Sequence, residues 1–208
     1  MARYTGAVCR LCRREQTKLF LKGEKCYTKC VLDNRPTPPG AAKPQRGKPS
    51  EFKIRLREKQ KLRRMIGMTE RPFARVMANA SKAPGNAAVV LLQTLETRLD
   101  NVIRRAGLAT SLSTARQMVQ HGHVKVNGET LNIPSYKVRV GETVSLSGKL
   151  KGNVNVNLAQ EFCEKKAPRP SYLEYDAHKL SVKLLREPSR DETAFSVNDQ
   201  LIVEYYSR

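Results

Sequence analysis

Four of the chain's five cysteines, Cys9, Cys12, Cys26 and Cys30, fall in the stretch CRLCRREQTKLFLKGEKCYTKC. Their spacing is C-x2-C, thirteen residues, then C-x3-C. The stretch has little apolar material for a core, so the thiols themselves must fix it. Two close pairs each offer two sulfurs at about 2.3 Å to a tetrahedral ion, and the spacer lets the pairs converge. No histidine lies nearby, so the expectation is a four-cysteine Zn2+ site. In zinc-finger peptides such sites are worth roughly 10–16 kcal/mol of folding free energy. An iron–sulfur cluster shares this ligand set, and free or redox-active thiols are the remaining reading. Arg13, Arg14, Lys22, Lys25 and Lys29 would stand on the knuckle and offset the charge of a zinc tetrathiolate. Cys163, the fifth, reads as a buried helical cysteine.

The charge balance says what such a chain must meet. Lys and Arg number 39 against 19 Asp and Glu, a formal net charge of +20. That much self-repulsion calls for a polyanionic partner. The surplus is uneven: residues 1–100 carry 23 basic and 8 acidic side chains, residues 101–150 carry 7 and 2, and residues 151–208 carry 9 of each. The longest apolar run, AAVVLL, is too short to span a bilayer, and MARYTGAVCRL lacks the apolar core of a signal peptide. The expectation is therefore a cytosolic chain with reduced thiols and no membrane partner.

Residues 35–49, RPTPPGAAKPQRGKP, hold five prolines, four basic residues and no acid. They suit an extended arm along phosphates, Arg35 included, and equally a flexible linker. Ser50 caps an expected helix ending near Gly67, with Phe52, Leu56, Leu62 and Ile66 on one face. Lys53, Arg57, Lys61 and Arg64 share another face, expected to meet phosphate. A second helix is expected from Thr69 to about Lys82, with Pro72 in its first turn. A third should run unbroken from Asn86 to about Ala106, burying Leu92, Leu95, Leu99 and Val102.

After Gly107 the texture changes. SLSTARQMVQHG reads as a short helix capped by Ser111 or Ser113. HVKVNGETLNI reads as a hairpin turning at Asn127-Gly128. YKVRV and TVSLS suggest a second strand pair around Gly141-Glu142. A helix near residues 158–165, strands at YLEYD and KLSVKLL, and a final strand in DQLIVEYYSR complete the reading. The fold class is α+β: a helical N-terminal domain with a four-cysteine metal knuckle, plus an α+β module with β-hairpins.

Residues 98–138, RLDNVIRRAGLATSLSTARQMVQHGHVKVNGETLNIPSYKV, closely resemble the S4 RNA-binding module. ARYTG at the start, RPTPPG, and the tail PSRDETAFSVNDQLIVEYYSR resemble the uS4 family of bacterial small-subunit ribosomal proteins. The resemblance runs end to end and implies three stretches. Residues 1–48 form the zinc knuckle and basic arm. Residues 49–97 form a helical RNA-binding domain joined by a C-terminal strand at about 195–208. Residues 98–194 form the S4-type module and its extension. Metal-binding family members resemble this chain up to Cys26; their second pair has four intervening residues rather than three. QRGKP also departs from the family's usual QHG.

The resemblance further implies a cytoplasmic, ribosomal protein that binds small-subunit rRNA early in assembly. Its partners would be neighbouring small-subunit proteins and mRNA at the entrance, with an influence on translational accuracy. No small-molecule substrate is expected. Matching to the family motif points to Arg98, Arg104, Arg105, Arg116, Gln117, His121, His123 and Lys125 as RNA contacts. With the helix face above, Arg3, Arg13, Arg14, Lys22 and Arg35 complete the expected surface. Structured RNA exposes phosphate and sugar more than base edges, so lysine and arginine contacts should dominate. With aromatic residues at 6% and no tryptophan, base stacking ranks lower. A modifying enzyme with the same module would need a catalytic domain for which no length remains, and no nucleotide motif of the G-x4-G-K-[ST] type is present. The chain is expected not to be an enzyme. The balanced C-terminal quarter fits contact with protein, its acids Glu174, Asp176, Glu187, Asp191 and Glu192 facing basic neighbours or simply solvent.

Overall fold

The computed structural model describes residues 4–40 and 48–207. Arg3 and residues 41–47 of the expected arm lie outside them. The chain divides into two compact units, residues 1–91 with 195–208, and residues 92–194.

The first unit is helical. Of three short helices, α1 (Cys9–Glu15) carries Cys9 and Cys12 and α2 (Lys25–Thr28) carries Cys26, while Cys30 stands extended just before α3 (Val31–Asn34). Helix α4 (Glu51–Met65) begins where expected: the Ser50 hydroxyl accepts from Lys53 N–H at 3.3 Å. Of its expected apolar face, Leu62 and the following Ile66 are buried, whereas Phe52 stays 58% exposed. Helix α5 (Glu70–Lys82) follows Thr69 and buries Phe73, Met77 and Ala80.

The C-terminal residues are the first correction. They form a helix rather than a strand, numbered α10 (Asp199–Tyr206) in chain order. The Asn198 side chain caps it by accepting from Leu201 N–H, and Asp199 sits favourably in its first turn. Leu201, Ile202, Tyr205 and Tyr206 turn inward while Gln200 and Glu204 stay exposed, a helical period that the apparent alternation concealed. Helix α10 packs on α4: Glu204 Oε2 accepts from Arg55 Nε at 2.6 Å, and Glu58 Oε2 accepts from Asn198 N–H at 3.1 Å.

The second unit is α+β. The expected long third helix is broken into α6 (Ala87–Glu96), within which the two units divide, and α7 (Leu99–Arg105). Leu92, Leu95, Leu99 and Val102 are nevertheless all buried. The cause is a tertiary pairing. Arg98 is extended (φ −63°, ψ 140°) and bridges Lys137, while Thr97 carbonyl accepts from Val138 N–H at 2.9 Å. YKVRV serves this contact, and its expected strand pair with TVSLS does not form.

Helix α8 (Leu112–Gln120) is capped by Ser111, leaving Ser113 exposed in its first turn. Strands β1 (Val124–Val126) and β2 (Glu129–Thr130) make the expected hairpin, with Asn127 at φ 49° and Gly128 at φ 90°. Both values fit the two positive-φ positions of a type I′ turn. With β3 (Thr143–Leu146), β4 (Leu173–Asp176) and β5 (Ser181–Leu184), they form one antiparallel sheet of order β2-β1-β3-β5-β4. Helix α9 (Val154–Lys166) contributes buried Val156 to the core cluster formed by α7, α8 and the sheet. Gly107 closes α7 at φ 76°, where a Cβ would lie 2.6 Å from Cys163 Cβ. Cys163 is buried as expected, and its Sγ donates to Ala167 carbonyl.

Candidate nucleic-acid interface

The cysteines come first. Cys12 and Cys26 are buried, Cys9 and Cys30 half-buried. Lys22 N–H donates to Cys26 Sγ at 3.3 Å, and the Leu19 backbone donates to Cys12. Burial pushes the Cys12 thiol's pKa up, and the neighbouring Cys26, Cys9 and Cys30 push it further. The sequence therefore brings four soft donors into one electrostatic neighbourhood, the chemistry a thiophilic ion wants. Their arrangement falls short of the expectation, because no group of three or more Cys, His, Asp or Glu among the described residues is placed to hold a metal ion.

The knuckle is fastened instead by charge and hydrogen bonds. Glu15, its side chain 3% exposed, accepts from Arg64 and, at 3.4 Å, from Arg57. Burial raises the Glu15 carboxyl from its ordinary value, and the two guanidinium groups pull against that rise. Arg13 donates to Thr37 and Pro38 carbonyls at 2.9 and 3.4 Å, binding the proline segment to α1. Arg14, Lys22 and Arg35 are exposed.

The basic face expected on α4 is largely consumed inside the chain. Arg57 and Arg64 serve Glu15, and Lys61 Nζ lies 3.6 Å from Glu58. Lys59, on the same helix, is buried against Glu70 at 2.7 Å, its ammonium 4.6 Å from the Tyr205 ring centre. Lys53 remains exposed.

The arginines chosen from the S4 motif surround two buried carboxylates. Asp100, with no exposed surface, accepts from Arg98 Nε and Nη2 at 3.1 and 3.0 Å and from Arg116 Nε at 2.7 Å. This joins the start of α7 to α8. Glu96, equally buried, takes Arg105 Nε at 2.7 Å as an ion pair. It also accepts hydrogen bonds from the Tyr172 hydroxyl at 2.8 Å and Asn101 Nδ2 at 2.9 Å. Arg104 donates to Asn101 Oδ1 at 3.1 Å. These four arginines thus help hold the module's shape.

What faces outward is different. Gln117 is exposed on α8 and His121 just past its end, and the His121 and His123 rings lie 6.2 Å apart. Lys125 is half-buried on the face of β1 opposite Val124 and Val126, in register with Thr130 and Ser145. On α5, Arg71, Arg75 and Lys82 are exposed, opposite the buried Phe73, Met77 and Ala80. They lie outside the motif and the faces singled out from the sequence, and helical spacing is the one signal that marks them. Among the expected protein-facing acids, Glu192 binds Arg186 at 2.5 Å and Glu187 lies 3.7 Å from Lys137. Glu174 and Asp191 remain exposed. No helix among the described residues is long and apolar enough to cross a membrane.

Comparison with known proteins accords with this architecture. Residues 3–96 match the model of the ribosomal protein S4/S9 N-terminal domain, and residues 97–144 that of the S4 domain. A small ribosomal subunit protein uS4A of Symbiobacterium thermophilum is 50% identical over 209 residues, covering 100% of both chains. Small ribosomal subunit proteins uS4 of Thermus thermophilus and Acetivibrio thermocellus are 46% and 47% identical, again with 100% of each chain covered. With both domain models matched in order and its relatives aligned from end to end, the chain belongs to the uS4 family of small ribosomal subunit proteins.

Proposed function

We propose that this chain is a structural constituent of the cytoplasmic small ribosomal subunit, where it binds small-subunit rRNA and acts by binding rather than by turnover. The observation that carries the reading is end-to-end similarity to uS4 proteins in a chain of net charge +20. Lysine and arginine contacts to phosphate supply most of the affinity, and the fixed shape of each unit sets which RNA fold is accepted. In the second unit, Gln117, His121, His123 and Lys125 make the touching edge. Arg98, Arg104, Arg105 and Arg116 act chiefly by holding that edge rigid. In the first unit, Arg3, Arg14, Lys22, Arg35 and Lys53 reach RNA.

Binding early, the chain orders rRNA for later proteins and lines part of the mRNA entrance, where its contacts with neighbours influence accuracy. A cleft of about 300 Å³ lined by Phe52, Arg55, Tyr205 and Tyr206 suits a neighbouring protein's side chain, given the exposed Phe52. Reconstitution tests the reading. Small-subunit particles assembled without this protein should sediment as incomplete, and adding the chain should restore them. Particles that complete without it would overturn the proposal.

We infer that the four cysteines, though not gathered as a ligand set in this structure, hold zinc, on the strength of their donor chemistry and the two backbone N–H groups aimed at Cys12 and Cys26. Cys9, Cys12, Cys26 and Cys30 would hold the ion, which would supply folding free energy and no reaction chemistry. Metal analysis of the purified chain, with a thiol count, decides it. One zinc and four protected thiols support the reading; no metal with all five thiols reactive refutes it.

A further inference from the structure

We propose that the exposed stripe Arg71–Arg75–Ala78–Lys82 on α5 is a phosphate-binding track for the rRNA backbone; this rests on the rRNA-binding reading above. The residues advance by four, three and four, which keeps all four on one line of an α-helix about 16 Å long. All four are exposed, and the buried Phe73, Met77 and Ala80 occupy the opposite side.

What distinguishes this stripe is that its charge is unspent. Among the described residues, no hydrogen bond or ion pair engages the side chains of Arg71, Arg75 or Lys82. On α4 and around α7 and α8, by contrast, most cations answer an internal carboxylate: Glu15, Glu58, Glu70, Glu96 or Asp100. Glu70, the only acid on α5, is bonded to Lys59 and the Tyr206 hydroxyl. Inside the free chain the stripe is a disadvantage. Arg71 and Arg75, four apart, repel each other, and Arg71 sits at the positive end of the helix dipole. Cations held at a cost to their own helix are suited to an external anion.

Geometry makes the anion a chain rather than a point. Arg71 to Arg75 advances about 6 Å and Arg75 to Lys82 about 10 Å along the axis. Ala78 between them offers only a methyl group, so a sugar–phosphate backbone can lie against the helix and meet all three charges. An acidic protein surface is the rival occupant.

The test uses the full chain and a fragment of small-subunit rRNA that the unaltered chain binds. The variant Arg71→Gln/Arg75→Gln/Lys82→Gln should bind it more weakly, with the slope of log K against log salt reduced by about two to three units. Ala78→Glu keeps a good helix former at an exposed site, so its unfolding temperature should stay that of the parent while its affinity for the fragment falls. An unchanged slope in the triple variant, or unchanged affinity in Ala78→Glu, would overturn the track. Either result would also leave an acidic protein as the occupant. The underlying reading fails by a different sign: the unaltered chain would hold the fragment no more tightly than an unrelated RNA of equal length.

Discussion

Replacing Asp100 by asparagine should be among the most damaging single changes in the second unit. Asp100 has no exposed surface and receives Arg98 through two nitrogens and Arg116 through one. Arg98 is itself only 7% exposed. Asparagine keeps the shape but removes the negative charge and turns an N–H donor toward guanidinium groups. Breaking a buried pair in this way costs about 3–5 kcal/mol, because the remaining cations stay desolvated without a counter-charge. In a unit of roughly 100 residues each kcal/mol lowers the melting temperature by about 4–8 °C, so the shift should exceed roughly 12 °C. Arg116→Gln should cost less, about 1.5–3 kcal/mol, since Asp100 keeps its two bonds to Arg98. The double variant should be less damaged than the two losses added together, because one charge imbalance partly cancels the other. Scanning calorimetry of the three variants measures all of this. An Asp100→Asn protein within about 0.5 kcal/mol of the parent, as for a surface substitution, would refute the view that this carboxylate organises the module.

Three further outcomes follow from the packing. Gly107→Ala should destabilise the second unit by roughly 2–4 kcal/mol in denaturant titration, since a Cβ there meets both a positive φ and the Cys163 side chain. Glu15→Gln should loosen α1 from α4 at a cost of about 3 kcal/mol and speed modification of the Cys12 thiol by a disulfide reagent; unchanged thiol kinetics would count against the anchor. At Glu70, burial raises the carboxyl's pKa, but hydrogen bonds from Lys59 and Tyr206 outweigh it and the net shift is downward. A depressed folded pKa stabilises the protein above the carboxyl's ordinary value and is lost as pH falls through the folded one, so acid should weaken the first unit less in Glu70→Gln than in the parent.

Where a local signal decides the outcome, the sequence was legible. Ser50 and Ser111 have the chemistry of caps, and Asn127-Gly128 accepts the positive φ of a tight hairpin; each acts within a few residues of itself. Where the fold departs from the expectation, the cause is a distant partner. Nothing near Thr97 and Arg98 announces a break, which arises because residues 136–138 pair there. DQLIVEYY carries both an alternating and a helical period, and packing on α4 selects the helix. The candidate interface shows the same division. A count of cations cannot tell which ones are spent, and Glu15 neutralises Arg64 from 49 residues away. Arg71, Arg75 and Lys82 needed no such knowledge: their spacing opposite Phe73 and Met77 was local and readable.

The most direct measurement is the salt dependence of binding between the unaltered chain and small-subunit rRNA. If cations left unpaired by the fold grip an RNA of fixed shape, log K should fall linearly with log salt, losing roughly a thousandfold or more between about 50 and 200 mM. A preference over scrambled RNA should persist across that range. Affinity that barely moves with salt, or that scrambled RNA matches at every concentration, would contradict the account.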